Sequence, residues 1–127
     1  MRIDRIDHLV LTVADLDATC EFYEKVLGME AVIFSGGRRA LRFGEQKINL
    51  HQARQEFEPK ATYPAPGSAD FCLITHSPLD EVVRHLAANA VEVLEGPVRK
   101  DGALGMMESV YFRDPDGNLV EVSVYPG

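Results

Sequence analysis

Long apolar runs are missing from this chain. No stretch approaches the roughly 20 residues that a membrane-spanning helix needs, and Met1-Arg2-Ile3-Asp4-Arg5-Ile6-Asp7 is too charged for a secretory leader. Cysteine is scarce. Cys20 and Cys72 lie far apart with no Cys-x-x-Cys spacing, a pattern that points to reduced core thiols in a cytoplasmic protein. Positive charge is outnumbered, with 13 Lys and Arg against 20 Asp and Glu. The formal net charge of −7 excludes a general nucleic-acid or anionic-membrane binder, though not a small anion held by local arginines. What remains is a chain of 127 residues with an ordinary apolar content, enough for one domain with its own core.

Short patterned segments fill that length. Tyr111-Phe112 and Leu119 to Tyr125 flank Asp114-Pro115-Asp116-Gly117-Asn118, whose Pro and Gly suit a tight turn, so this stretch reads as a hairpin. In its second strand Val120, Val122 and Val124 oppose Leu119, Glu121, Ser123 and Tyr125. A carboxylate amid such apolar neighbours faces either water or a cavity that holds something cationic.

From the N-terminus, Ile6 to Val13 alternates as a strand, with His8 on the face opposite Leu9, Leu11 and Val13. Asp15 offers a helix N-cap, Leu16, Cys20, Tyr23 and Leu27 follow at helical spacing, and Gly28 can end the helix. Three strands come next, over about 30–34, 39–43 and 47–52; in the last, Asn49 and His51 share one face and Ile48 and Leu50 the other. Residues 54–68, with Pro59, Pro64, Pro66 and Gly67, read as a crossover linker. The pattern then restarts. Ala69 to Thr75 is a strand with Asp70 on the face away from Phe71 and Leu73. Ser77-Pro78 is expected to open a helix whose apolar stripe is Leu79, Val82, Val83, Leu86 and Ala87. Strands over about 91–94, 107–112 and 119–125 complete the set.

Strand, helix, three strands therefore occurs twice. The expected fold is α+β: two βαβββ modules, about 4–53 and 69–125, forming curved mixed sheets around a concave cavity with helices on the outer faces. His8, Asn49, His51, Asp70 and Glu121 all fall on the helix-free faces, which is where chemistry is expected.

These residues and their order resemble the vicinal oxygen chelate superfamily of glyoxalases, bleomycin resistance proteins and extradiol dioxygenases. The matching motifs are Ile6 to Val13, Phe22-Tyr23-Glu24-Lys25-Val26-Leu27-Gly28-Met29, and Phe112-Arg113-Asp114-Pro115-Asp116-Gly117-Asn118-Leu119-Val120-Glu121. The middle of the chain, from Phe43 to His51 and on to Asp70, is similar more narrowly to the glyoxalase-domain-containing protein 5 subgroup, from which no activity follows. The resemblance implies a divalent metal (Zn, Ni, Mn, Co or Fe) with His8 and Glu121 as ligands. His51 joins them as a third candidate. The family's usual glutamate is replaced by Asn49 and its usual histidine by Asp70.

Glu121 or Asp70 would shuttle a proton, and Asn49 and Arg42 would contact substrate. The implied function is a glyoxalase-like, metal-dependent lyase or isomerase acting on a small oxygenated molecule that chelates the metal. The alternatives are a metal-free protein that binds an antibiotic-like small molecule, and an extradiol-type dioxygenase. A homodimer is expected, because relatives often pair modules between chains.

Overall fold

The computed structural model describes residues 1–126, which form eight strands, two α-helices and a short 3-10 turn. Two compact units divide the chain, the first covering Met1–Ser68 and the second beginning at Ala69. Among the described residues no helix is long and apolar enough to cross a membrane.

In the first unit β1 (His8–Val13), β2 (Glu30–Phe34), β3 (Arg38–Phe43) and β4 (Gln46–Gln52) form a sheet in the order β1-β4-β3-β2. β1 runs parallel to β4 and the other pairings are antiparallel, so the sheet is mixed. The parallel pair is possible because α1 (Leu16–Leu27) and two further strands intervene, as a crossover requires. Asp15 caps α1 by accepting from the Ala18 amide, and Gly28 closes it at φ 66°, a left-handed conformation that glycine adopts without penalty. Cys20, Tyr23 and Val26 of the helix are buried, as are Leu11, Val13, Leu41, Ile48 and Leu50 on one face of the sheet.

The second unit repeats the plan. β5 (Asp70–Ile74), β6 (Glu95–Gly102), β7 (Gly105–Arg113) and β8 (Leu119–Val124) lie in the order β5-β8-β7-β6, with β5 parallel to β8. Leu79 and Leu86 of α2 (Leu79–Ala88) are buried, together with Val110, Phe112, Val120 and Val122. The expected two-module α+β architecture is what the chain forms.

Three local expectations differ. The second strand of the second unit lies over Glu95–Gly102, not 91–94, and Gly96-Pro97 sits at an irregularity in its pairing between Glu95 and Val98. A bulge lets a proline without an N–H stay within a strand. Pro78, not Ser77, is the cap of α2, and no side chain caps that end. Cys72 is exposed rather than part of the core; Cys20 is buried as expected, and both are free thiols.

Candidate functional site

Each unit has one sheet face that its helix leaves uncovered. In the first unit the register aligns Glu30, Arg42, Lys47 and His8 in one row across four strands, and Val32, Ala40, Asn49 and Val10 in the next. Paired residues of adjacent strands point to the same side, so His8, Asn49 and His51 share this face as their parity implies.

His8 opens β1, and its Nδ1 lies 2.8 Å from Asp7 Oδ2. That contact holds Asp7 below the usual carboxylate range, with the hydrogen bond to His8 as the main cause. An acidic partner on Nδ1 orients an imidazole and leaves Nε2 available. Asn49 stands two register positions from His8, roughly 8 Å between Cα atoms. Its Oδ1 is buried and has no hydrogen-bond donor. His51 is 8% exposed, and Phe57 packs edge-on against it with ring centroids 5.7 Å apart. Four register positions separate His51 from the partner of His8, so the two histidines stand roughly 14 Å apart at Cα. Arg42 is exposed, with Glu30 Oε1 at 4.0 Å.

In the second unit Cys72, Glu121 and Tyr111 form one row across β5, β8 and β7, and Ile74, Ser123 and Ser109 form the next. Ser123 Oγ lies 3.2 Å from Glu121 Oε2, 2.6 Å from Ser109 Oγ and 3.2 Å from Cys72 Sγ. The Tyr111 phenol is pushed up to about 12, first by desolvation and then by the charge and hydrogen bonding of Glu121. Partial burial raises the Cys72 thiol; the Ser123 contact works against the rise and the Glu121 charge adds to it. Asp70 is exposed at the start of β5, paired with Leu119 and diagonal to Glu121.

The structure thus brings His8 near Asn49 in the first unit, and Asp70 near Glu121 in the second. It does not bring His51 beside His8. Within either unit, among the described residues, no group of three or more His, Cys, Asp and Glu side chains is placed to hold a metal ion. Asp7, Tyr111 and Ser123 escaped the sequence reading as partners of the two key side chains. Asp7 adjoins His8 in the motif and Ser123 shares the parity of Glu121, so both signals were there; the pairing of Tyr111 depends on a register fixed only by folding.

The model of the Glyoxalase/Bleomycin resistance protein/Dioxygenase superfamily matches residues 5–122. Virulence protein STM3117 of Salmonella typhimurium is 58% identical over 98% of this chain and 87% of its own length. Its crystal structure superposes with a TM-score of 0.98 over 99% of this chain and 100% of that one. Metallothiol transferase FosB of Shouchella clausii is 30% identical over 94% of this chain and 80% of its own. The crystal structure of lactoylglutathione lyase from Agrobacterium tumefaciens is 29% identical with a TM-score of 0.75, covering 98% of this chain and 96% of that one.

Proposed function

Because this chain belongs to the Glyoxalase/Bleomycin resistance protein/Dioxygenase superfamily, we propose that it is a metal-dependent lyase or isomerase of glyoxalase type. Its substrate is a small molecule with two adjacent oxygens. The observation that carries this reading is the setting of Glu121, a carboxylate on a helix-free sheet face beside a serine hydroxyl and a phenol.

His8 in the first unit and Glu121 in the second are residues we propose as ligands to divalent metal. Imidazole and carboxylate oxygen suit Zn²⁺, Ni²⁺, Mn²⁺, Co²⁺ or Fe²⁺ in type, and the name of the FosB relative is that of a metal-using transferase. When bound, the ion supplies Lewis-acid stabilisation of the oxyanion that develops as a proton leaves the carbon beside a carbonyl.

The chain's own residues do the rest. Asp7 fixes the His8 ring. Glu121 or Asp70 takes the proton from the substrate carbon and returns it to the substrate. Asn49 offers its unpartnered oxygen to a substrate hydroxyl. His51, distant from His8 along the sheet, is assigned to substrate contact, with Arg42 at the other end of the same face, in the row of His8 and Lys47. A dioxygenase reading ranks last, because Asp70 stands where such an enzyme would have its second histidine. A homodimer is part of the proposal, checked by sedimentation.

Proton exchange tests the activity. In heavy water, the protein loaded with Mn²⁺, Ni²⁺ or Zn²⁺ is expected to exchange the α-proton of lactoylglutathione or of a simpler α-hydroxy thioester, and Glu121→Gln to abolish the exchange. A wild type that exchanges nothing with any of these metals contradicts the enzyme reading. A second reading, ligand binding without metal, is favoured by the buried, unpartnered Asn49 Oδ1, an acceptor that a ligand can satisfy directly. It predicts that chelator leaves ligand affinity unchanged.

A further inference from the structure

We propose that the helix-free face of the first unit binds the anionic end of the substrate, a carboxylate or comparable oxyanion carried by a molecule that also presents a hydroxyl. This rests on the glyoxalase-type reading and deepens it by naming a substrate class, with Arg38 and Lys47 added to Asn49 and neither proposed metal ligand involved. The observation behind it concerns two cations. Arg38 lies with its guanidinium carbon 4.4 Å from the centre of the Phe57 ring, and Lys47 places its ammonium 4.0 Å from the centre of the Phe34 ring.

Neither side chain is in an ion pair or donates a hydrogen bond among the described residues, whereas several other cations lie against carboxylates. Arg39 is paired with Asp17, Lys60 with Glu56 and Glu58, Arg84 with Asp80 and Lys100 with Glu95. The face of an aromatic ring attracts a cation electrostatically and uses none of its N–H donors. Arg38 and Lys47 are thus held in place with their hydrogen-bonding capacity unspent.

Their positions converge on the residues already assigned to substrate. Lys47 pairs with His8 in register, yet its ammonium reaches Phe34, the partner of Arg38 on β2. To get there it crosses the row of Ala40 and Asn49, where alanine contributes nothing beyond Cβ. Phe57 joins Arg38 to His51, since both pack on its ring. The buried, unpartnered Asn49 Oδ1 lies in the row between. An acceptor in the middle with cations to the side matches a ligand that offers a hydroxyl proton to Asn49 and an oxyanion to Arg38 and Lys47. Local positive charge on a chain of net charge −7 is what retains such an anion.

Chelator-treated full-length protein provides the test, which separates this proposal from metal binding. Lactate, malate, mandelate and inorganic phosphate are titrated separately while amide and Arg/Lys side-chain chemical shifts are followed, with neutral 1-phenyl-1,2-ethanediol as the control for mandelate. At least one of the hydroxy acids is expected to bind with shifts at Arg38, Lys47 and Asn49, and more tightly than the diol or phosphate. Arg38→Gln and Lys47→Met should each weaken it about tenfold, the scale of one charge-assisted hydrogen bond. Phosphate binding better than every hydroxy acid, the diol matching mandelate, no binding by any anion, or unchanged affinity in folded forms of both variants would each overturn it. Absence of metal binding would overturn only the metal-dependent reading above.

Discussion

The hydroxyl of Ser123 donates to Glu121 Oε2 across 3.2 Å, two residues apart on one face of β8. A serine has one proton to give and two lone pairs to receive. With that proton directed at Glu121, Ser109 at 2.6 Å and Cys72 at 3.2 Å become donors to Ser123. The arrangement accounts for every proton in the cluster and fixes one carboxylate oxygen.

Ser123→Ala removes the acceptor of two donors and a donor to Glu121. Ser109 and Ser123 are fully buried, so the orphaned Ser109 hydroxyl should cost about 1–3 kcal/mol of stability in urea unfolding. Ser109→Ala combined with Ser123→Ala should cost less than the sum of the two, because the second change removes the group that the first strands. Strict additivity would contradict the shared network.

The Tyr111 phenol should ionise late. Its folded value of about 12 lies above the ordinary 10, so in metal-free protein the phenol keeps its proton as the pH passes 10. The sign follows: this group favours the folded state below pH 10, and that contribution is lost as pH rises from about 10 to about 12. Absorbance titration should show a late step that vanishes in Tyr111→Phe. In Glu121→Gln the step should move down without reaching 10, because desolvation, the larger cause, persists.

Asp114 holds the turn that precedes β8. Its Oδ1 accepts from the amides of Asp116 and Asn118, its Oδ2 from the Asn118 side chain at 2.8 Å, and Asn118 Oδ1 accepts the Ala69 amide at 2.9 Å. The turn therefore also fastens the start of β5. Asp114→Ala, at a residue only 6% exposed, should cost about 2–3 kcal/mol in urea unfolding, since hydrogen bonds to a charged group are the stronger kind. A loss below 0.5 kcal/mol would contradict the role.

Thiol reactivity separates the two cysteines. Iodoacetamide should label exposed Cys72 before buried Cys20. Both thiols are raised by desolvation, so labelling at neutral pH should be slower than for a free thiol. Glu121→Gln, which removes a charge that raises Cys72, should speed labelling of Cys72 and leave Cys20 unchanged.

Much of the fold was legible because its signals are local. Asp15 and Gly28 bound α1 where the capping rules place them, and the alternation in β4 and β8 put Asn49, His51 and Glu121 on the faces the structure shows. The strand expected over 91–94 lies at Glu95–Gly102 instead, and only the pairing with β7 shows that a bulge accommodates Gly96-Pro97 within it. The site was legible by face but not by distance. Parity places His8 and His51 on one side of a sheet, while their separation depends on the register between β1 and β4, which no single strand's sequence encodes. Arg38 and Lys47 were hidden for a similar reason: their rings, Phe57 and Phe34, lie on other segments of the chain.

The most direct measurement is calorimetric titration of chelator-stripped, tag-free protein with Mn²⁺, Ni²⁺ and Zn²⁺, on the wild type and on His8→Ala and Glu121→Gln. With His8 and Glu121 as metal ligands, the wild type binds at least one of the three metals. Either substitution then weakens binding by about tenfold or more, while urea unfolding shows both variants folded. A wild type that binds none of the three, or variants that bind as tightly as it does, would contradict the assignment of Glu121 and His8 as the metal ligands.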